Sequence, residues 1–157
     1  MKAAILALAL VVPVSASAQT APVHRSHFQA PIAWLGGGYT HTIGADLGGE
    51  VWFPLKSKST DGAAFLSVVG GFNFDGTAKI GGGAGVFTDD WFSFDVQAYG
   101  LAATTAGGRQ GWGVNPGFGF AIKGALRIRA GFDWGQVAGQ LRAPGVSVLV
   151  QIGPLGR

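Results

Sequence analysis

Between residues 32 and 152, bulky apolar residues alternate with glycine, polar or charged residues in eight stretches, and hardly a segment carries helical periodicity. Successive side chains of a strand point to opposite faces of its sheet, so this alternation states what each side is dissolved in. In residues 91–101, Phe92, Phe94, Val96 and Ala98 share one face, and Ser93, Asp95, Gln97 and Tyr99 share the other. The same period sets Leu47, Val51 and Phe53 against Asp46 and Glu50, and Leu66, Val68, Phe72 and Phe74 against Ser67 and Asn73. It sets Ile128, Phe132 and Trp134 against Arg127, Arg129 and Asp133, and Val146, Val148 and Val150 against Ser147 and Gln151. The first stretch, 32–42, is looser because Gly36, Gly37 and Gly38 carry no side chains to mark the faces.

The segment before these stretches reads differently. Lys2 precedes an apolar run over 3–14 and then Ser15-Ala16-Ser17-Ala18, the charged region, short apolar core and small-residue cut site of a secretory leader. Cleavage is expected after Ala18. This divides the chain into a signal peptide (1–18), a short polar linker (19–30) and a β-barrel domain (31–157). The apolar run is shorter than the roughly 20 residues needed to span a bilayer as a helix.

Composition narrows the class. With Lys2 gone, ten Lys and Arg stand against eight Asp and Glu, scattered rather than massed, which gives no support for a nucleic-acid partner. Those 18 charges in 139 residues are about half the usual ~25% share for a soluble domain, too few to coat a soluble outer face. There is no cysteine, hence no disulfide and no thiolate chemistry.

Turn signals punctuate the stretches: Asp75-Gly76, Thr88-Asp89-Asp90 and Lys123-Gly124-Ala125, with longer links over 55–62, 104–111 and 136–145. Every connection suits a hairpin. The pattern therefore predicts an all-β fold, an eight-stranded antiparallel up-and-down transmembrane β-barrel, because in hydrocarbon an open edge would leave backbone groups unpaired. An even strand number returns both ends of the barrel to one side, the periplasm in an exported bacterial barrel, and puts the Asp75-Gly76, 104–111 and 136–145 links outside.

The faces then assign candidate residues. Aromatics gather at membrane interfaces, and Phe72, Phe74, Trp112 and Trp134 fall near the outer end while Phe53, Phe92 and Phe120 fall near the inner end. On the lumen side Asp46, Glu50, Asp95 and Asp133 meet Lys79, Lys123, Arg127 and Arg129, four against four. Charges withdrawn from water persist when paired and hydrogen-bonded. Eight strands enclose just enough room for side chains to fill, and glycines at 113, 117, 119 and 131 leave space for Arg and Lys to cross. A plugged polar lumen is expected rather than a continuous pore.

Two hairpins resemble a known group. Gly85-Val86-Phe87-Thr88-Asp89-Asp90-Trp91, and Gly117-Phe118-Gly119-Phe120-Ala121-Ile122-Lys123 leading into Leu126-Arg127-Ile128-Arg129, are similar to hairpins of OmpA-like eight-stranded outer-membrane β-barrel proteins. The resemblance implies outer-membrane localisation and insertion by the barrel-assembly machinery. Members commonly end their last strand in an aromatic residue, whereas this chain ends Ile152-Gly153-Pro154-Leu155-Gly156-Arg157. Pro154 cannot donate to a ladder, so the strand is expected to stop before it.

Residues for chemistry are sparse. His24 and His27 lie in the polar linker without carboxylates beside them, and His41 stands at the outer end of the first strand. Ser67 and Ser93 would have to meet His41 to form a nucleophile and base, and their spacing along the strands keeps them apart. No catalytic residue, metal site or cofactor is expected. Arg109 and Arg142, in outer connections, are positioned to touch lipopolysaccharide phosphates beside the outer-membrane lipid; Lys56 and Lys58 lie in another connection. The leading expectation is a small structural outer-membrane barrel without catalysis. The alternatives are a soluble periplasmic barrel with inverted faces that binds an apolar ligand, and a lipid A-modifying barrel enzyme.

Overall fold

The computed structural model describes residues 31–55, 62–88, 92–122 and 125–153. The leader, the linker, the Asp89-Asp90 turn, Lys56, Lys58, Lys123 and Pro154 lie outside them. Eight long strands form the wall: β1 (Ile32–Thr40), β2 (Gly44–Pro54), β3 (Gly62–Asn73), β4 (Thr77–Thr88), β5 (Phe92–Ala103), β6 (Gly111–Ile122), β7 (Leu126–Val137) and β9 (Gly145–Ile152). A two-residue strand, β8 (Gln140–Leu141), extends β7 as a small hairpin inside the last long link. Its two-residue turn holds Ala138 at φ 52° and Gly139 at φ 79°, both left-handed, as a type I′ turn requires.

Each wall strand pairs antiparallel with its sequence neighbours, β7 passes to β9, and β9 closes on β1. The barrel is therefore an up-and-down closed sheet without a free edge. The closing β1–β9 seam is short, made by Leu35 to Tyr39 against Ile152 to Val148. Following paired residues around the wall from Tyr39 through Val148, Ala130, Phe118, Phe94, Val86 and Ala64 arrives at Leu55, whereas Tyr39 pairs directly with Ala45. The stagger from 45 to 55 is ten residues, and a closed barrel with such a stagger tilts its strands by roughly 35–45°.

The two faces are sharply unequal. Leu35, Leu47, Leu66, Val68, Ile80, Val96, Phe118, Ile128, Phe132 and Val150 all stand outward and exposed, Ile80 at 70%. Asp46, Glu50, Asp95, Arg127, Arg129 and Asp133 are buried inside. The described termini, Pro31 and Gly153, lie at one end, here the lower; the turns at 41–43, 74–76, 104–110 and 138–144 lie at the upper.

The interior corrects one expectation, because it is not polar throughout. At the lower end Ile32, Trp34, Trp52, Phe65, Phe87 and Ala121 form an apolar plug, with Trp52 stacked on Phe65 at 4.1 Å between centroids. Near the upper end Ile43, Val69, Tyr99, Leu101 and Val137 form a second. Glu50, Asp95, Arg127 and Arg129 occupy the layer between, while Lys79, Asp46 and Asp133 lie level with the upper cluster.

Candidate functional site: the charged lumen

The glycines of β6 make room for this layer. A Cβ on Gly117 would lie 2.6 Å from Arg129 Nη2, and one on Gly119 would lie 2.7 Å from Arg127 Nε. Glycine at these positions lets two arginines reach across from β7. Arg129 grips Asp95 with Nε at 3.0 Å and Nη2 at 2.5 Å, and Arg127 Nη2 donates to the same carboxylate at 2.9 Å. Arg127 Nη1 also donates to Glu50 at 3.0 Å and to Gln151 Oε1 at 2.8 Å. Glu50 accepts a further bond from the Trp52 indole, and the Arg127 guanidinium rests 4.5 Å from the centre of that ring. The charged layer and the lower plug are thereby joined through one tryptophan, by hydrogen bond and cation–π contact.

The β6–β7 ladder steps over Asn115 and Pro116. Pro116 has no N–H to offer, and Arg129 Nη2 donates to the Asn115 carbonyl at 2.9 Å, supplying a lumen partner at that break. The Asn115 side chain accepts from Arg129 Nη1 and donates to Ser147 Oγ at 2.7 Å.

Higher up, Lys79 pairs with Asp46. Asp133 has no cation against it among the described residues: it accepts from the Thr42 backbone N–H at 2.7 Å, from the Tyr99 hydroxyl and from Asn115. Lys123 lies outside the described residues, and Glu50, Asp95, Arg127 and Arg129 are joined as a network rather than as isolated pairs. One carboxylate, Asp95, serves two arginines, and another anchors a turn. Thr42, pinned by Asp133, draws the 41–43 turn inward so that Ile43 enters the upper plug fully buried. Asn73 Nδ2 donates to the Ile43 carbonyl from the side.

Above this turn a second clamp closes the mouth. Asp75 accepts from Arg109 Nε at 2.8 Å and Nη2 at 2.5 Å, and the Arg109 backbone N–H donates to Thr77 Oγ1 at 2.9 Å. Hydrogen bonding from Thr77, and then Arg109, holds the Asp75 carboxyl below its ordinary range against the opposing effect of burial. Arg109, in an outer connection, is paired with Asp75 within the protein and stays about a third exposed. Arg142 is exposed in the loop after β8.

The seven aromatics assigned to interfaces, Phe53, Phe72, Phe74, Phe92, Trp112, Phe120 and Trp134, are all exposed on the outer wall. Trp112 and Trp134 meet edge to face at 6.1 Å, and Phe92 and Phe120 lie at 5.0 Å toward the other end. His41 is exposed in its turn, and Ser93 Oγ accepts from Arg127 at 3.1 Å, so histidine and serine are not brought together. Among the described residues no cluster of His, Asp or Glu is placed to hold a metal ion, and no helix is long and apolar enough to cross a membrane.

A cavity of about 20 Å³ lies inside the wall beneath β1 and β2, lined by Asp46, Glu50, Lys79, Gln97 and Gln151 among glycines. Small-molecule sites run to roughly 300–1,000 Å³ and are mostly apolar. Among the described residues of the wall the bulky alternating face points outward, opposite to the inverted arrangement expected of a barrel that binds an apolar ligand.

Fold and lumen together define a closed eight-stranded β-barrel with an apolar exterior and an ion-paired interior. No protein-family model matches the chain, and no curated protein matches it. Among solved structures it is similar to a de novo designed transmembrane β-barrel, with 17% identity over 83% of this chain and 98% of that one, at a TM-score of 0.49. It is also similar to the Yersinia pestis outer membrane protein Ail in a phospholipid bilayer nanodisc, with 10% identity over 78% and 96% of the two chains, at a TM-score of 0.45.

Proposed function

We propose that this chain is a small structural barrel of the bacterial outer membrane, related to the OmpA-like group, whose lumen is a load of packed side chains rather than a pore or a catalytic site. The observation that carries this reading is the outward, exposed apolar wall enclosing buried charges. A soluble protein rarely exposes a contiguous apolar surface of that extent. Twelve-residue strands such as β5 and β6, at about 3.3 Å per residue and a tilt of about 40°, rise roughly 30 Å, enough to cross an apolar band of about 25 Å.

In this reading residues 1–18 are a cleaved leader, the lower end faces the periplasm, and the two aromatic bands sit at the lipid interfaces. The barrel-assembly machinery inserts the chain, and Arg142 is the outer-loop cation free to meet lipopolysaccharide phosphate.

Membrane fractionation combined with a heat-modifiability gel tests the proposal. The folded chain is expected to need detergent for extraction and to shift mobility on boiling; extraction in plain buffer would sink it. Val96 stands outward at mid-wall. Arginine there is expected to cost about 2–4 kcal/mol of insertion free energy, read as a loss of the folded band. A Val96→Arg chain that inserts as readily as the parent would mean that lipid does not lie against this face.

A further inference from the structure

Midway between the two plugs, Gly83 of β4 pairs with Ser67 on one side and Gln97 on the other. Ser67 and Gln97 both face the lumen, 5% and 6% exposed, and neither Ser67 Oγ nor Gln97 Nε2 has a hydrogen-bond partner among the described residues. A Cβ on Gly83 would stand 2.4 Å from the Val96 carbonyl oxygen and 3.0 Å from Ser67 Oγ, so only glycine lets the Ser67 hydroxyl sit this close to the β4 backbone. Gln97 also lines the cavity of about 20 Å³, whose other polar walls are Asp46, Glu50, Lys79 and Gln151. That volume exceeds the roughly 10–15 Å³ that one water requires, and a buried water needs two to four polar partners.

We propose that this is an internal hydration site, where water is held by Ser67 Oγ and Gln97 Nε2 and reaches toward the Asp46–Lys79 pair. The donor set selects the ligand. Gln97 Nε2 is a donor and requires an oxygen acceptor, which excludes a bare metal cation at that atom. An anion would face the carboxylates of Asp46 and Glu50. Water alone donates to one wall and accepts from the other. Because Asp46, Glu50, Gln97 and Gln151, which line the cavity, are buried, water there is shielded from bulk solvent and its residence is prolonged. The site depends on the barrel and its lumen, not on what surrounds the barrel.

Oxygen-17 relaxation dispersion of water, measured on the refolded full chain, reports long-lived internal water, and a water-to-side-chain nuclear Overhauser effect locates it. The expected result is a dispersion together with a cross-peak from water to the Gln97 amide protons. Combining Ser67→Ala with Gln97→Leu removes both polar groups; the dispersion is expected to shrink while the chain keeps its heat-modifiable folded form. A parent chain with no cross-peak from water to Gln97 overturns the proposal, whether or not the variant folds. A folded double variant whose dispersion matches the parent's overturns it equally.

Discussion

Asp95 is the residue on which the lumen's electrostatics converge, since one carboxylate, almost wholly buried, neutralises parts of both Arg127 and Arg129. Taking away one partner of a buried ion pair strands the other, at a cost of about 3–5 kcal/mol. Asp95→Asn is expected to lower unfolding stability by that order, measured by urea titration of the refolded barrel; a loss under 1 kcal/mol would show that the arginines find other partners. Gly117→Ala sets a methyl group against the guanidinium that Asp95 fixes and against the Ala130 carbonyl, 2.9 Å away. Overpacking of this kind costs about 1–3 kcal/mol, and the same titration reads it. Parity alone identifies the lumen charges of the described wall, because Asp95 alternates with Phe94 and Val96. It also applies to residues that size and hydrophobicity assign elsewhere: Trp52 stands two positions from Glu50, Phe65 two from Ser67, and Leu101 two from Tyr99. Each shares the charged face, and strict parity rather than polarity is the signal that finds them. The large ring of Phe65 is matched by a missing side chain, since a Cβ on Gly85 would lie 2.7 Å from its tip.

At the scale of elements, the upper turns form one cap rather than separate loops. The 41–43 turn is drawn in by Asp133, and the β5–β6 link is strapped to the β3–β4 turn by Asp75 and Arg109. The lowered Asp75 pKa fixes the sign of its pH dependence. A carboxylate held below its unfolded value of about 3.9 contributes fully above that pH and loses its contribution as pH falls through the folded value. The Arg109 and Thr77 amide resonances are therefore expected to stay constant from neutral pH to about 4.5 and to titrate with a midpoint below 3.9. A midpoint at or above that value would mean that the strap is open in solution. Such links were illegible in the sequence. Asp75 and Arg109 are 34 residues apart, and what joins them is the β4–β5 hairpin between, a tertiary fact that no local spacing encodes. The first strand was the least legible of the wall: three successive glycines hide its faces, and the inward position of Trp34 follows from its pairing with Glu50 on β2.

For the whole molecule, two plugs and an ion-paired layer lie in series along the barrel axis, so an ion would have to displace packed apolar side chains twice. Planar-bilayer recording of the purified chain is expected to show a quiet baseline. Steady unitary currents from the parent protein would refute a filled lumen, and Trp52→Ala, which empties the centre of the lower plug, is the variant in which current should first emerge. The sequence supported this architecture because a repeating alternation is a property of the entire chain, and eight repetitions survive small errors at any one. The short β1–β9 seam carries a different consequence. It unites strands more than a hundred residues apart, and no other contact can substitute for it in closing the wall. Until β9 has been delivered, everything already made is a twisted ribbon with two bare, adhesive edges. The molecule's most vulnerable interval is therefore its own folding, before its first and last strands meet.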